Sequence, residues 1–202
     1  MDDRQSLRKT IRQHRSALDP SWCATRSAQI CQHLAATWLY RRAQRIAFYL
    51  HQGNEVSLDL LLHAAWSSGK QVYLPILGLR FHGQLWFVPC QPDTPLYKNR
   101  FGIAEPVHAT HERRTPLRSL DLVLMPLVAF DRHGNRLGMG GGFYDKTLAA
   151  VQAGNPVWTR PKRIGIAYAM QEVAAIPGER WDVPLDAVVT ERGFTWFNRG
   201  KQ

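Results

Sequence analysis

A chain of 202 residues, 45% hydrophobic and 21% charged, has the size and balance of one domain with a sizeable core. No apolar run approaches the ~20 residues that span a membrane, and Met1-Asp2-Asp3-Arg4-Gln5 lacks the apolar stretch of a secretory signal, so the expected location is the cytoplasm. The formal net charge of +10 invites a polyanionic partner, but Lys and Arg are scattered and form no block with interleaved aromatics, which favours a small polyanionic substrate over nucleic acid.

Residues 4–18 carry Leu7, Ile11 and Leu18 at roughly helical spacing among Arg4, Arg8, Lys9, Arg12 and Arg15, the pattern of an amphipathic basic helix. Arg4 and Arg8 lie one turn apart and share a face. Asp19-Pro20-Ser21 breaks this helix, and Pro20 suits the first turn of a second one running to about Leu39. That second helix carries Cys23 and Cys31, which read as small apolar side chains. With Cys90 they make an odd count at wide spacing, neither a disulfide framework nor a zinc set, so a reduced compartment is expected. Residues 45–50 read as a buried strand and His51-Gln52-Gly53-Asn54-Glu55 as the turn after it. A helix over 56–67, a strand over 71–75, a turn over 77–83 and a strand over 85–88 follow. Residues 89–118, rich in proline, charge and small side chains, read as mostly irregular. A central strand is expected over 122–125, a helix from about Tyr144 to near Gly154-Asn155-Pro156, a strand over 163–168 and a last strand over 187–190. Alternating strands and helices predict a single-domain, three-layer α/β/α fold over residues 1–202, Rossmann-like, with a mostly parallel sheet. In such sheets ligands sit beyond the carboxyl ends of the strands, where Glu55 and the segment after residue 125 can share one cleft.

That segment is the most informative in the chain: Pro126-Leu127-Val128-Ala129-Phe130-Asp131, then Gly134-Asn135-Arg136-Leu137-Gly138-Met139-Gly140-Gly141-Gly142-Phe143-Tyr144-Asp145. A strand, a glycine-rich turn and a helix start make a phosphate cradle: glycines let backbone N–H groups approach an anion, and the helix N-terminus adds partial positive charge. Arg136 adds a permanent cation and Asp145 a hard oxygen ligand for Mg²⁺, which together point to a nucleoside triphosphate with its metal. No Gly-Lys-Ser/Thr follows the glycines, and Gly-x-Gly-x-Gly is not the dinucleotide fingerprint. The eight histidines show no metal spacing.

The long loop resembles the signature of the 5-formyltetrahydrofolate cyclo-ligase family, also called 5,10-methenyltetrahydrofolate synthetases. The resemblance extends in order over the basic helix, Leu50 to Glu55, Glu105-Pro106, the loop, and Asp182 to Thr190. It implies ATP-dependent closure of 5-formyltetrahydrofolate to 5,10-methenyltetrahydrofolate: the formyl oxygen takes the γ-phosphoryl group, nitrogen 10 closes the ring, and phosphate leaves. It implies ATP contacts from Arg4, Arg8, Arg136, Leu137, Gly138, Met139, Gly140, Gly141, Gly142, Phe143 and Tyr144. Folate contacts would come from Leu50, Glu55, Phe101, Gly140 and Tyr144, with Glu55 facing the donor-rich edge of the pterin. Arg136, Tyr144 and Asp145 would be catalytic, and Asp145 with Asp182 would hold Mg²⁺. Many relatives carry Lys where Gly141 stands, which moves one phosphate contact to Arg136 or to the N-terminal helix. Other interpretations stay open. Asp145 can also serve as a helix N-terminal charge, though the phosphate loop before it favours the metal role; Asp182 and Asp186 serve equally well as turn residues, and Phe101 as core. Phe143, more than Tyr144, is expected against the sheet. The expected partners are small molecules, with no membrane or nucleic acid, and the expected state is a monomer. A different ATP-dependent phosphotransferase or a basic RNA-binding protein are the competing functions.

Overall fold

The computed structural model describes residues 3–77, 83–107, 115–152 and 161–197. The helices are α1 (Asp3–Ser16), α2 (Pro20–Ala36), α3 (Trp38–Arg42), α4 (Asp59–Ser67) and α5 (Phe143–Gln152). The strands are β1 (Arg45–Ala47), β2 (Gln71–Leu77), β3 (Leu85–Pro89), β4 (Leu96–Lys98), β5 (Ala104–Pro106), β6 (Leu122–Pro126), β7 (Ala129–Phe130), β8 (Arg136–Leu137), β9 (Lys162–Ile166), β10 (Ala187–Thr190) and β11 (Gly193–Trp196).

Seven strands form the main sheet in the order β11-β10-β9-β6-β1-β2-β3. The pairs from β10 to β2 are all parallel, and the antiparallel β11 and β3 close the edges. The central strand β6 is apolar through Met125 because both of its faces are covered. Leu122 and Leu124 point to one layer, with Ile46, Leu74, Ile164 and Val189, and meet Ile30 and Leu34 of α2 and Leu61 and Ala65 of α4. Val123 and Met125 point to the other layer and join Leu148 of α5, Leu127 and Val188. This period-two alternation makes the fold three-layered, as the sequence predicts.

The chain steps from β1 to β2 in one direction, then from β6 to β9 and β10 in the other. The reversal opens a crevice beyond the carboxyl ends of β1 and β6. Helix α1 lies over that end, with Leu7 and Ile11 packed on Val128, Ala129, Leu137 and Ile176.

Several boundaries differ from expectation. The second helix stops at Ala36 because Thr37 caps a new one: its hydroxyl accepts the Tyr40 N–H and starts α3. Helix α4 begins at Asp59 because Val56 and Leu58 are drawn into the core first. The stretch 89–118 is not irregular throughout, since it holds the antiparallel ribbon β4–β5. Buried Glu105 organises this ribbon by accepting from the Tyr97 hydroxyl, the Asn99 amide and the Leu77 N–H. The strand expected to be last, β10, is followed by β11. The hairpin β7–β8 also escaped the sequence. The expected end of the loop helix, at Gly154-Asn155-Pro156, and His82, His108 and His111 lie outside the described residues.

Candidate active site

The glycine loop is presented by the β7–β8 hairpin. Asp131, 1% exposed, folds the hairpin turn. Its Oδ1 accepts the N–H groups of His133 and Asn135, and its Oδ2 accepts the Asn135 amide and the Ile176 N–H. The hairpin returns the chain to the crevice at Arg136, and residues 138–142 then run to the start of α5. Gly140 and Gly142 have φ of 107° and 63°, values that favour glycine. Met139, Gly140 and Gly141 are exposed, so the loop backbone faces solvent ahead of the α5 N-terminus. Leu137 is wholly buried in the cluster with Ile11 and offers a ligand only its backbone.

Two ion pairs underlie the loop. Arg136 Nη2 donates to Asp145 Oδ1 at 2.6 Å, and the same oxygen accepts the Val183 N–H at 3.1 Å. Oδ2 is thus the Asp145 oxygen left to meet a cation. The Arg136 side chain is 4% exposed, and its Nε is a buried donor with no partner among the described residues. Burial lowers the Arg136 guanidinium pKa, and Asp145 opposes that shift. In the second pair Arg4 grips both oxygens of Asp182 and donates to the Pro177 carbonyl. Its pKa is raised, chiefly by the Asp182 hydrogen bond, with a contribution from Asp145. Arg136 in turn feels Asp182, so the two pairs form one charge cluster. Asp182, expected as a metal ligand, is here the partner of Arg4 and also accepts the Glu179 N–H. Arg8 reaches the loop directly, with its Nε donating to the Gly138 carbonyl at 2.9 Å. Arg4 and Arg8 are thus both engaged by the protein rather than left to solvent. Asp186, left open as a turn residue, pairs with Arg163 at the start of β9.

On the β1 side, Leu50 is half-buried and Glu55 lies five residues on. Glu55 Oε1 accepts from Arg15 Nη2 at 3.4 Å and Oε2 from the Gln52 N–H at 3.1 Å. An ionised carboxylate offers about four lone-pair sites, so a bidentate donor edge can still be taken. Tyr144 lies between the two sides, feeling both Arg136 and Glu55. Burial pushes its phenol well above its ordinary value, against the pull of Arg136, so it stays an O–H donor. It is Tyr144 that packs against the sheet core. Phe143, half-buried, instead meets Phe101 edge-on with ring centroids 6.1 Å apart. Phe101 is 52% exposed and is not core. Asn99 Oδ1 holds the turn that carries it by accepting the N–H groups of Phe101 and Ile103.

Sequence reasoning missed Arg15, which joins Glu55 to the Leu127 carbonyl at the end of β6. The signal was available, since positions 4, 8 and 15 fall on one helical face. It also missed the Val183 N–H, which no pattern announces. Among the described residues no cluster of three or more His, Cys, Asp or Glu could hold a metal, and no helix is long and apolar enough to cross a membrane.

Fold and site define a doubly wound α/β protein with a glycine-rich loop ahead of a helix N-terminus at its switch point. Solved structures with the same fold include the 5,10-methenyltetrahydrofolate synthetase of Aquifex aeolicus (TM-score 0.81, 26% identity, 98% of this chain and 95% of that one). That of Mycoplasma pneumoniae matches with TM-score 0.72 and 25% identity over 94% of this chain and 99% of that one. The sequence profile of the 5-formyltetrahydrofolate cyclo-ligase family matches residues 1–191. The 5-formyltetrahydrofolate cyclo-ligase of Haemophilus influenzae is 40% identical over 182 residues, 90% of this chain and 94% of its own. That of Escherichia coli K12 is 39% identical over 180 residues, 89% and 96%. The chain belongs to the 5-formyltetrahydrofolate cyclo-ligase family.

Proposed function

We propose that the crevice binds ATP with Mg²⁺ on the glycine-loop side and 5-formyltetrahydrofolate on the Glu55 side, and joins them by phosphoryl transfer. The closure of 5-formyltetrahydrofolate to 5,10-methenyltetrahydrofolate is the activity of the family to which the chain belongs. The route through ATP is argued from chemistry. The formyl oxygen attacks the γ-phosphorus, the bond to ADP breaks, and an iminium phosphate forms. Nitrogen 10 then adds to the activated carbon and gives up its proton to solvent, the carbon–oxygen bond breaks, and phosphate departs with the former formyl oxygen. Positioning and charge neutralisation are the protein's tasks in such a transfer.

The observation that carries the proposal is the juxtaposition at one switch point of an open glycine loop, the Arg136–Asp145 pair beneath it and Glu55 opposite. Backbone N–H groups of residues 138–142 and the α5 N-terminus would receive the phosphates, with Arg8 and Arg136 neutralising charge. The unpaired Arg136 Nε suits a ligand oxygen or bridging water. Glu55, charge-balanced by Arg15, would take the pterin's amino and ring N–H donors. Tyr144 would hold its phenolic proton towards the substrate. Mg²⁺ fits Asp145, which keeps one carboxylate oxygen for an ion that takes its remaining ligands from phosphate and water. When bound, Mg²⁺ would supply neutralisation of phosphate charge. We take residues 1–202 as one domain, acting as a monomer in the cytoplasm.

The test is the absorbance of the methenyl chromophore with purified protein, 5-formyltetrahydrofolate and ATP with magnesium. A rise that needs every component is expected. Product formed without ATP would overturn the phosphoryl route.

A further inference from the structure

The glycine loop carries no cationic side chain of its own, and the arginines beneath and beside it are held in place by protein partners. Arg136 is buried against Asp145, Arg4 is held by Asp182 and Pro177, and Arg8 bonds the Gly138 carbonyl. A side-chain cation at Gly141 would require the Phe143 ring to move, because a Cβ there would lie 2.5 Å from it. Lys146 stands differently. It occupies the first turn of α5, and its N–H donates to the Gly142 carbonyl. The stem folds back over the loop: a Cβ on Gly142 would lie 3.8 Å from Lys146 Cε. A Cβ on Gly83, just ahead of β3, would lie 3.1 Å from its Nζ. The residue is exposed, and its ammonium has no carboxylate or hydrogen-bond partner among the described residues.

We propose that Lys146 is the mobile phosphate-binding cation of this site, swinging from the α5 N-terminus onto the outer phosphates of the bound nucleotide. The inference rests on the nucleotide assignment above and deepens it. A helix N-terminus receives anions with partial charge only, whereas an ammonium on a four-carbon stem adds a full point charge that follows the phosphate as it moves. Gly142 and Gly83, both without side chains, leave the lane through which the stem passes. Gly141 and Phe143 belong to the same arrangement: the ring fills the space that a residue at 141 would need, and the cation comes from the helix instead.

The test is calorimetric titration of ATP and of AMP, in magnesium chloride and without folate, into wild-type protein, Lys146→Met and Lys146→Arg. Methionine keeps the unbranched stem and removes the charge at an exposed position, and a thermal melt verifies that the variant is folded. ATP affinity should fall roughly tenfold or more in Lys146→Met, the loss of one charge-assisted contact. AMP affinity should stay within about twofold, because AMP lacks the outer phosphates, and Lys146→Arg should retain most ATP affinity. Unchanged ATP affinity in Lys146→Met, or equal losses for ATP and AMP, would overturn the proposal. The titration needs no turnover: wild-type protein that binds ATP but forms no methenyl product would end the proposed reaction and leave the Lys146 result readable.

Discussion

Replacing Asp145 by Asn separates its two possible roles. The carboxylate is both the counter-ion of a buried guanidinium and the proposed contact for the metal. The amide is isosteric, so an oxygen can still accept from Arg136 and from the Val183 N–H. What disappears is the charge. A charge-assisted hydrogen bond is roughly twice as strong as a neutral one, a difference of ~1–2 kcal/mol. An uncompensated buried charge costs more, up to ~3–5 kcal/mol. Asp182, whose charge also reaches Arg136, softens that penalty, so a loss of ~2–3 kcal/mol in stability is expected. For a chain of this size that lowers Tm by roughly 5–10 °C. Loss of one preorganised electrostatic contact at the transferring phosphoryl group should also lower kcat by about 100-fold or more. The assays are thermal unfolding, and steady-state methenyl formation across a magnesium titration well below the variant's Tm. A kcat within about threefold of wild type at saturating magnesium and ATP would refute the metal role, leaving Asp145 as the structural partner of Arg136.

Glu55→Gln should raise KM for the folate about tenfold or more and leave KM for ATP nearly unchanged, since one oxygen of the donor-facing pair becomes an N–H; equal effects on both would make Glu55 structural. A third prediction concerns alkaline stability. Burial raises the Cys31 thiol from 9.0 to about 11 and the Tyr40 phenol from 10.0 to about 12. Between those limits the unfolded chain has released protons that the folded chain retains, so stability is whole below about pH 9 and declines as pH rises towards the folded values. Each group adds a slope of up to ~1.4 kcal/mol per pH unit. Denaturant unfolding at pH 8 to 10.5 should show this fall, and Cys31→Ala should flatten its lower part; an unchanged slope in that variant would remove Cys31 as a source.

The layers of this fold are legible because they rest on periodicity. Leu122 to Met125 is apolar without a break and must be buried on both faces, and the glycines after it need the left-handed backbone that Gly140 and Gly142 adopt. The illegible parts depend on contacts distant in sequence. The ribbon β4–β5 is built around Glu105, a charged residue that lies 3% exposed because Tyr97, Asn99 and the Leu77 N–H converge on it. Nothing in its neighbourhood of prolines and charges announces a strand. The order of Phe143 and Tyr144 was inverted for a similar reason. Both are aromatic, and only the docking of α5 decides that Tyr144 meets the core while Phe143 turns to Phe101.

Charge gives the sharpest contrast between sequence and structure. Along the chain the basic residues look scattered, and the net charge says little more than that an anion would be welcome. Folding sorts them. The seating of Leu7 and Ile11 on the β7–β8 hairpin turns one face of α1 towards the crevice, so Arg4, Arg8 and Arg15 arrive at Asp182, Gly138 and Glu55. The apolar stripe of that helix is therefore as much a part of the site as its arginines: it sets the rotation that aims them. Where those arginines meet carboxylates they order the loops around the crevice, and little of their charge is left for a ligand. The cations that can still answer an incoming phosphate are the ones with spare donors or freedom to move. At this crevice those are Arg136 through its unpaired Nε, Arg8 through the Nη groups its bond to Gly138 leaves over, and Lys146 at the rim.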